Sequence, residues 1–487
     1  MRGVPAYAAV DLGAESARVM VGTLAGGRVE LEQHSRTQNR PVRLPDGLHW
    51  DLLHLFSGVL QGLHAPLVDL RGVGVDAWGV DYALLDERGK VLGLPFHYRD
   101  GRTGGMIERA DELVPSAELY AVTGIQTMPI NTVYQLLAEQ GSSALGAASR
   151  IALVPDLFAF WLSGELANES TAASTSALLD ATTGEWATGL IERFGLPSRI
   201  FGQVVEPGTR LGRIQPGHDL PTIPVFAVAG HDTASAFVAA PVMGEDCAIL
   251  SSGTWSLLGL ELPAPLLTEQ ARALNLTNER GVEGTTRLLK NVMGLWLVQG
   301  CRLALEAGGA PLSYDEVVRL ADGHTAEVPL FDPDHPSLLA AQELDMPRLI
   351  GRLCAANGGQ APAGPAALFR SILVSLACKY RFVLEQLESA SGRSISTIHV
   401  IGGGVRNTLL CRLTAELTGR TVLAGPVEAA ALGNVLVQAR ADGELGSLSE
   451  MRALVSASFE PDRYEPEPDR SAAEATYSRF LAQIDHP

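Results

Sequence analysis

The run Gly230-His231-Asp232-Thr233-Ala234-Ser235-Ala236 lies between two apolar stretches, residues 223–228 and 237–242. Strand, turn, carboxylate and helix in that order present one aspartate at the carboxyl edge of a sheet, where α/β proteins bind ligands. An aspartate that opens a helix is also an ordinary N-cap, so both roles stand at this stage. Three glycine-bearing segments accompany it: Asp11-Leu12-Gly13-Ala14-Glu15-Ser16-Ala17-Arg18, Ser251-Ser252-Gly253-Thr254-Trp255-Ser256 and Gly402-Gly403-Gly404-Val405-Arg406-Asn407. In the first, small residues after Gly13 leave backbone N–H groups open to an anion, although a ligand-free hairpin uses the same residue types. In the second, the Thr254 hydroxyl and nearby amides would hold a terminal phosphate; the same letters also make an ordinary turn. In the third, the missing Cβ atoms permit close approach of something flat or charged, which suits an adenosine pocket. The single-loop phosphate motif GxxxxGK[ST] is absent. A lone aspartate with a nucleotide site gathered from distant segments points to phosphoryl transfer onto a hydroxyl group.

Two further clusters carry polar chemistry. Trp78-Gly79-Val80-Asp81 sets an aromatic, a close-approach glycine and an acid at the end of an apolar strand, and Lys290-Asn291 precedes an amphipathic helix bearing Trp296 and Gln299. Either cluster would face a sugar, and either has a purely structural reading.

The elements that must position these residues follow from periodicity. Strands are expected at 7–12, 18–24, 28–34 and 72–78, with 80–86 and 91–94 around a turn at 86–89. Helices are expected at 131–139, 156–162 and 189–194, and a further strand at 223–228. Near residue 245 the opening theme returns: strand 247–250, a small-residue turn and strand 256–261 repeat the order of residues 8–24, which suggests two halves on one plan. A long helix follows at 365–389, then strand 397–401, helix 409–418, strand 421–424 and helix 428–441. Residues 461–468, rich in proline and acid, read as a linker before a last helix at 472–484. Alternating strands and helices place the chain in the α/β class.

At 487 residues and 46% hydrophobic composition, two large cores are expected. A formal charge of −18 excludes a nucleic-acid footprint of clustered Lys and Arg. The five cysteines are scattered without a CxxC pair and read as buried reduced thiols. No apolar run approaches the ~18–20 residues of a membrane span. The first strand begins too early for a signal peptide, so a cytoplasmic location is expected.

Taken together, the segments resemble the FGGY carbohydrate kinases of the actin-like ATPase superfamily. The resemblance runs from about Ala8 to about Ala441. It is carried by the motifs above and by Tyr98-Arg99-Asp100, Gly124-Ile125-Gln126, Leu289-Lys290-Asn291-Val292-Met293-Gly294-Leu295-Trp296 and Gly425-Pro426-Val427-Glu428-Ala429. It implies an α/β fold of two actin-like, ribonuclease-H-like domains flanking a catalytic cleft. Residues 1–241 would be mainly sugar-binding and 242–465 mainly nucleotide-binding, with 466–487 a terminal linker and helix. It implies Asp232 as the general base, and Gly79, His231, Asp232, Thr233 and Asn291 as ketose contacts. Ala14, Glu15, Ser16, Ala17, Arg18, Thr254, Gln299 and Gly403 would contact ATP, with Asp11 near Mg²⁺. The implied reaction moves a phosphoryl group from ATP to the 1-hydroxyl of a ketose, L-rhamnulose first and L-fuculose as runner-up. An actin-like conformational ATPase is the alternative of a different class. The chain departs from the family at Glu15 and Ala17, where the first phosphate loop is usually built of Ser, Thr and Gly; a carboxylate there would repel a triphosphate unless turned outward or met by the metal.

Overall fold

The computed structural model describes residues 4–65, 69–242, 244–339, 343–356 and 359–484. The chain forms two compact units: Met1–Pro241 with Glu261–Leu289 and Glu428–Glu460, and Val242–Leu260 with Lys290–Val427 and Pro461–Pro487. Two segments of the second half thus pack with the first unit. Ion pairs tie these two segments to each other: Arg452 clamps Glu261 at 2.8 Å, and Arg440 meets Glu283 at 3.1 Å. Among the described residues no helix is long and apolar enough to cross a membrane, and all five cysteines are buried and free.

The first unit is built on a six-stranded sheet in the order Arg210–Arg213, Pro224–Phe226, Leu70–Ala77, Ala6–Leu12, Ser16–Ala25, Arg28–Gln38. Ala6–Leu12 runs antiparallel to Ser16–Ala25 and parallel to Leu70–Ala77, which is parallel in turn to Pro224–Phe226. Three antiparallel strands extended by two parallel ones make the ribonuclease-H-like plan. Every residue of Ala6–Leu12 is buried, which is why that strand reads as an apolar run interrupted by Asp11.

The helix Ala429–Ala441 lies against this sheet on glycines. A Cβ at Gly22 would sit 2.5 Å from Val435, and one at Gly74 would sit 2.7 Å from Asn434 Oδ1. On its other side the helix touches Asp232–Val238 so closely that a Cβ at Gly433 would stand 1.8 Å from the Ser235 carbonyl oxygen. A second apolar core in the same unit gathers Tyr82, Val114, Leu136, Leu178 and Ile200 from the helical region between Tyr82 and Ile200.

The second unit repeats the plan. Cys247–Ser252 is antiparallel to Trp255–Leu262 and parallel to Thr397–Ile401, which is parallel to Thr421–Ala424. The long helix Gly364–Ser391 supplies much of its core.

Two expectations are corrected. Residues 461–468 are not a bare linker, because Asp462–Tyr464 pairs antiparallel with Thr421–Ala424 and uses the backbone groups of that strand's far edge. Residues 80–86 and 91–94 do not make a strand pair. Val80 lies at φ 67°, outside the extended region, so the strand is only Tyr82–Leu85. It pairs with Arg150–Leu153 and meets Val91 through a single bridge.

Candidate active site

Three aspartates stand at the carboxyl ends of adjacent strands in the first unit. Asp11 and Asp76 are register partners across the parallel pair, and Asp11 faces Arg18 across the antiparallel one. Arg18 donates to Asp11 at 2.5 Å and to Glu428, which immediately precedes the helix Ala429–Ala441. The Asp11 carboxylate, and then Glu428, raise the Arg18 pKa against the opposing effect of burial. Asp76 is wholly buried and accepts from Asn434 Nδ2 at 2.6 Å. Burial, then the charge of Asp11, lifts its carboxyl well above the usual carboxylate range and favours its neutral form.

Asp232 is the first residue of the helix Asp232–Val238. His231, in extended conformation, occupies the cap position, and no side chain caps this helix. The capping role open in the sequence therefore falls to a neighbour, and the Asp232 carboxylate is not spent on it. The Asp232 side chain is 30% exposed, with Oδ1 accepting from the Thr233 hydroxyl at 3.1 Å. Desolvation raises its pKa; His231 opposes this and the charge of Asp11 adds to it.

A layer of buried polar groups fixes the turn before Asp232. Glu169 accepts from the amides of Thr171, Ala172 and Gly230 and from the Thr171 hydroxyl, and that hydroxyl in turn accepts from the His231 amide at 3.1 Å. The strand-end residue Ala77 donates to the Gly230 carbonyl at 2.9 Å and bridges to His231. From the other side come Glu279 and Arg287, register partners in the hairpin of Thr277–Arg280 with Thr286–Met293. Arg287 Nη2 lies 3.1 Å from Glu279 Oε2 and 3.2 Å from His231 Nδ1, while His231 Nε2 stands 3.6 Å from Asp232 Oδ1.

Just beyond Ala77, the turn Trp78-Gly79-Val80-Asp81 is built around a buried carboxylate. Asp81 accepts from the indoles of Trp50 and Trp78 at 2.6 and 3.0 Å, from the Tyr98 amide at 3.2 Å and from Gln135 at 2.8 Å. Burial lifts its carboxyl to about 6, with these donors opposing. The Trp50 and Trp78 rings lie 4.1 Å apart, an aromatic wall beside Gly79. Val80, a β-branched residue at positive φ, is strained. It is held by Thr175 Oγ1 accepting from its amide and by Thr132 Oγ1 donating to its carbonyl. A Cβ at Gly79 would press on Thr175 at 2.9 Å.

In the second unit two loops converge on the strand end and turn at Ser252-Gly253-Thr254. Leu295 and Trp296, at the start of the helix Trp296–Ala307, donate to the carbonyls of Gly253 and Thr254. A Cβ at Gly294 would sit 2.6 Å from the backbone of Trp255. Gly402, at φ 86°, and Gly404 close on Ser252, the latter so tightly that a Cβ would overlap its hydroxyl oxygen at 2.0 Å. Gly403 begins a 3-10 turn, after which Asn407 caps the helix Thr408–Thr418. Gln299 lies one turn into Trp296–Ala307, and Asn291 lies near the end of Thr286–Met293.

Of the residues expected at the site, Asp11, Ala14, Glu15, Ser16, Ala17, Arg18, Gly79, His231, Asp232 and Thr233 belong to the first unit, and Asn291, Thr254, Gln299 and Gly403 to the second. Sequence reasoning missed Asp76, Glu169, Glu279 and Arg287, and it quoted Glu428 without a role. A charge inside an apolar strand was the available signal for Asp76 and Arg287; nothing local marked Glu428, whose partner is 410 positions away.

Comparison with known proteins adds the following. The model of the FGGY family of carbohydrate kinases, N-terminal domain, matches residues 6–239, and that of its C-terminal domain matches 248–441. A rhamnulokinase of Bacteroides thetaiotaomicron is 41% identical over 97% of this chain and 98% of its own. One from Enterococcus faecalis is 38% identical over 98% and 97%. Among solved structures, a xylulose kinase from Lactobacillus acidophilus superposes with a TM-score of 0.78 at 13% identity, covering 99% of this chain and 97% of its own. Plasmodium falciparum glycerol kinase with ADP gives 0.76 at 14%, covering 98% and 97%. At those identities the two structures speak for the fold alone.

Proposed function

Since this chain belongs to the FGGY family of carbohydrate kinases, we propose that it transfers the γ-phosphoryl group of ATP to the 1-hydroxyl of L-rhamnulose, giving L-rhamnulose 1-phosphate and ADP in the cytoplasm. The observation that carries this reading is the likeness of 38–41% over nearly the full length to proteins named rhamnulokinase.

In this reading Asp232 accepts the proton of the 1-hydroxyl as the oxygen attacks phosphorus. Its partial exposure and its freedom from capping leave an oxygen to receive that proton. Gly79, His231, Thr233 and Asn291 hold the ketose, with the Trp50–Trp78 wall supporting Gly79. Ala14 to Arg18, Thr254, Gln299 and Gly403 hold ATP. Phosphoryl transfer asks the protein for alignment and charge stabilisation more than covalent help, and the amides of the two glycine turns supply fixed donors without reorganisation.

Mg²⁺ suits this set. The ion takes one or two carboxylates and fills its other positions with phosphate oxygens and water. Asp11 presents a second oxygen besides the one held by Arg18, and would hold the ion. When bound, Mg²⁺ offsets charge on the phosphate oxygens. Arg18, fixed between Asp11 and Glu428, orients that carboxylate.

A coupled ADP-release assay over L-rhamnulose, L-fuculose, L-ribulose, D-xylulose and glycerol tests the reading. L-rhamnulose is expected to give the highest kcat/KM. A tenfold or greater preference for glycerol or D-xylulose would overturn the substrate while leaving the kinase.

A further inference from the structure

The segment Glu261–Leu289 crosses into the first unit and brings two buried charges to the residue beside Asp232. Arg287 is fully buried, Glu279 nearly so, and each is the other's register partner. Glu279 Oε2 lies 3.1 Å from both Arg287 Nη2 and His231 Nδ1, and of the contacts among these three atoms only that of Nη2 with Nδ1, at 3.2 Å, has the geometry of a hydrogen bond. Guanidinium is a donor only and stays charged, so its bond to Nδ1 requires a lone pair there. The neutral ring must then carry its proton on Nε2, the nitrogen 3.6 Å from Asp232 Oδ1.

We propose that Arg287 and Glu279 are positioning residues that hold His231 as its Nε2–H tautomer, so that a donor stands beside Asp232 for the ketose oxygen next to the hydroxyl that is phosphorylated. At 3.6 Å the Nε2–H group is too far from Asp232 to be consumed by it, which leaves the donor for substrate. The catalytic carboxylate then takes a proton from one oxygen of the sugar while His231 gives a hydrogen bond to its neighbour. The pair of groups reads an acceptor adjacent to an acidic hydroxyl, and this orients the 1-hydroxyl. Arg287 needs Glu279 because a lone buried guanidinium would be uncompensated; burial lowers its pKa and Glu279 is the chief influence restoring it. The proposal rests on Asp232 as the base.

The test begins with the full chain labelled with ¹⁵N-histidine, without substrate, in long-range ¹⁵N–¹H correlation spectra at neutral pH. His231 is assigned by its loss in His231→Gln. The expected pattern is an unprotonated Nδ1 and a protonated Nε2; a protonated Nδ1 overturns the proposal. This readout needs no turnover, so it stands apart from the role of Asp232, which Asp232→Asn tests separately. The second arm is the double variant Glu279→Gln with Arg287→Met, which removes both buried charges together. The kcat with ketose should fall roughly 10–100-fold, the KM for ATP should stay within twofold, and the His231 pattern should lose its fixed Nδ1 acceptor. A folded double variant with unchanged kcat and unchanged spectrum overturns the assignment. Should the double variant not fold, the wild-type spectrum alone decides.

Discussion

Replacing Asp232 by asparagine preserves volume and removes a proton acceptor. With His231 in the cap position and no side-chain cap on that helix, the substitution forfeits only a first-turn charge, worth under about 1 kcal/mol. As the general base, however, it is worth roughly 10²–10⁴-fold in kcat, with the KM for ATP unchanged. The pKa of Asp232 is raised in the folded protein, which sets two pH dependences. Turnover needs the ionised form, so kcat/KM should fall as pH drops through a value above the ~3.9 of an ordinary aspartate. Stability runs the other way: a raised folded pKa contributes stability below the unfolded pKa that is lost as pH rises through the folded one. Asp232→Asn should therefore melt no lower than wild type at neutral pH, and a marked fall in Tm would show the carboxylate to be structural.

At the scale of elements, the site depends on how closely two helices approach. Asp232–Val238 carries the proposed base on its first turn, and its Ser235 carbonyl lies where a side chain at Gly433 would have to go. Gly433→Ala puts a methyl group into backbone, which cannot rotate away. Overpacking of this kind costs about 1–3 kcal/mol, read as a lower urea midpoint at constant m-value. The helices must separate, Asp232 shifts with its helix, and kcat should fall with the midpoint. A methyl group accepted without loss of stability or turnover would show that the approach is not needed. The same logic explains the glycines at 22 and 74: the helix Ala429–Ala441, which also follows directly on Glu428, lies on a sheet face cleared of side chains.

At the scale of the whole molecule, one plan is used twice. Each unit places its glycine turn between two antiparallel strands, Gly13-Ala14-Glu15 in one and Gly253-Thr254 in the other. In the proposed reading backbone amides of these turns are the main donors to the nucleotide, which would reconcile an anionic substrate with a chain of formal charge −18. Among the described residues no cluster of three or more His, Cys, Asp or Glu is arranged to hold a metal. If Asp11 is the one protein carboxylate on magnesium, as proposed, the ion arrives with the nucleotide. A chelator should abolish turnover and leave the nucleotide-free Tm within about 1 °C. With ATP and Mg²⁺ at 100 times Kd, stability should rise by about 2.7 kcal/mol. A Tm that falls on chelation alone would reveal a resident ion.

Much of the molecule was legible in the residue order because local physics decides it. The strands Thr397–Ile401 and Thr421–Ala424 have the bounds their apolar runs predict, and the glycine turn and the repeated plan follow from period and glycine placement. Val80 was not legible, since nothing local forbids an extended valine; Thr132 and Thr175, far along the chain, hold it at positive φ. The same holds for Asp232, whose helix-cap and free-carboxylate readings differ only in which residue adopts the cap backbone. Glu279 and Arg287 meet His231, and Glu428 meets Arg18, because the chain crosses back into its first unit twice. Order along the chain determined the pieces and their chemistry. Which charge faces which was decided only by tertiary packing, because buried ions must find partners wherever the fold brings them.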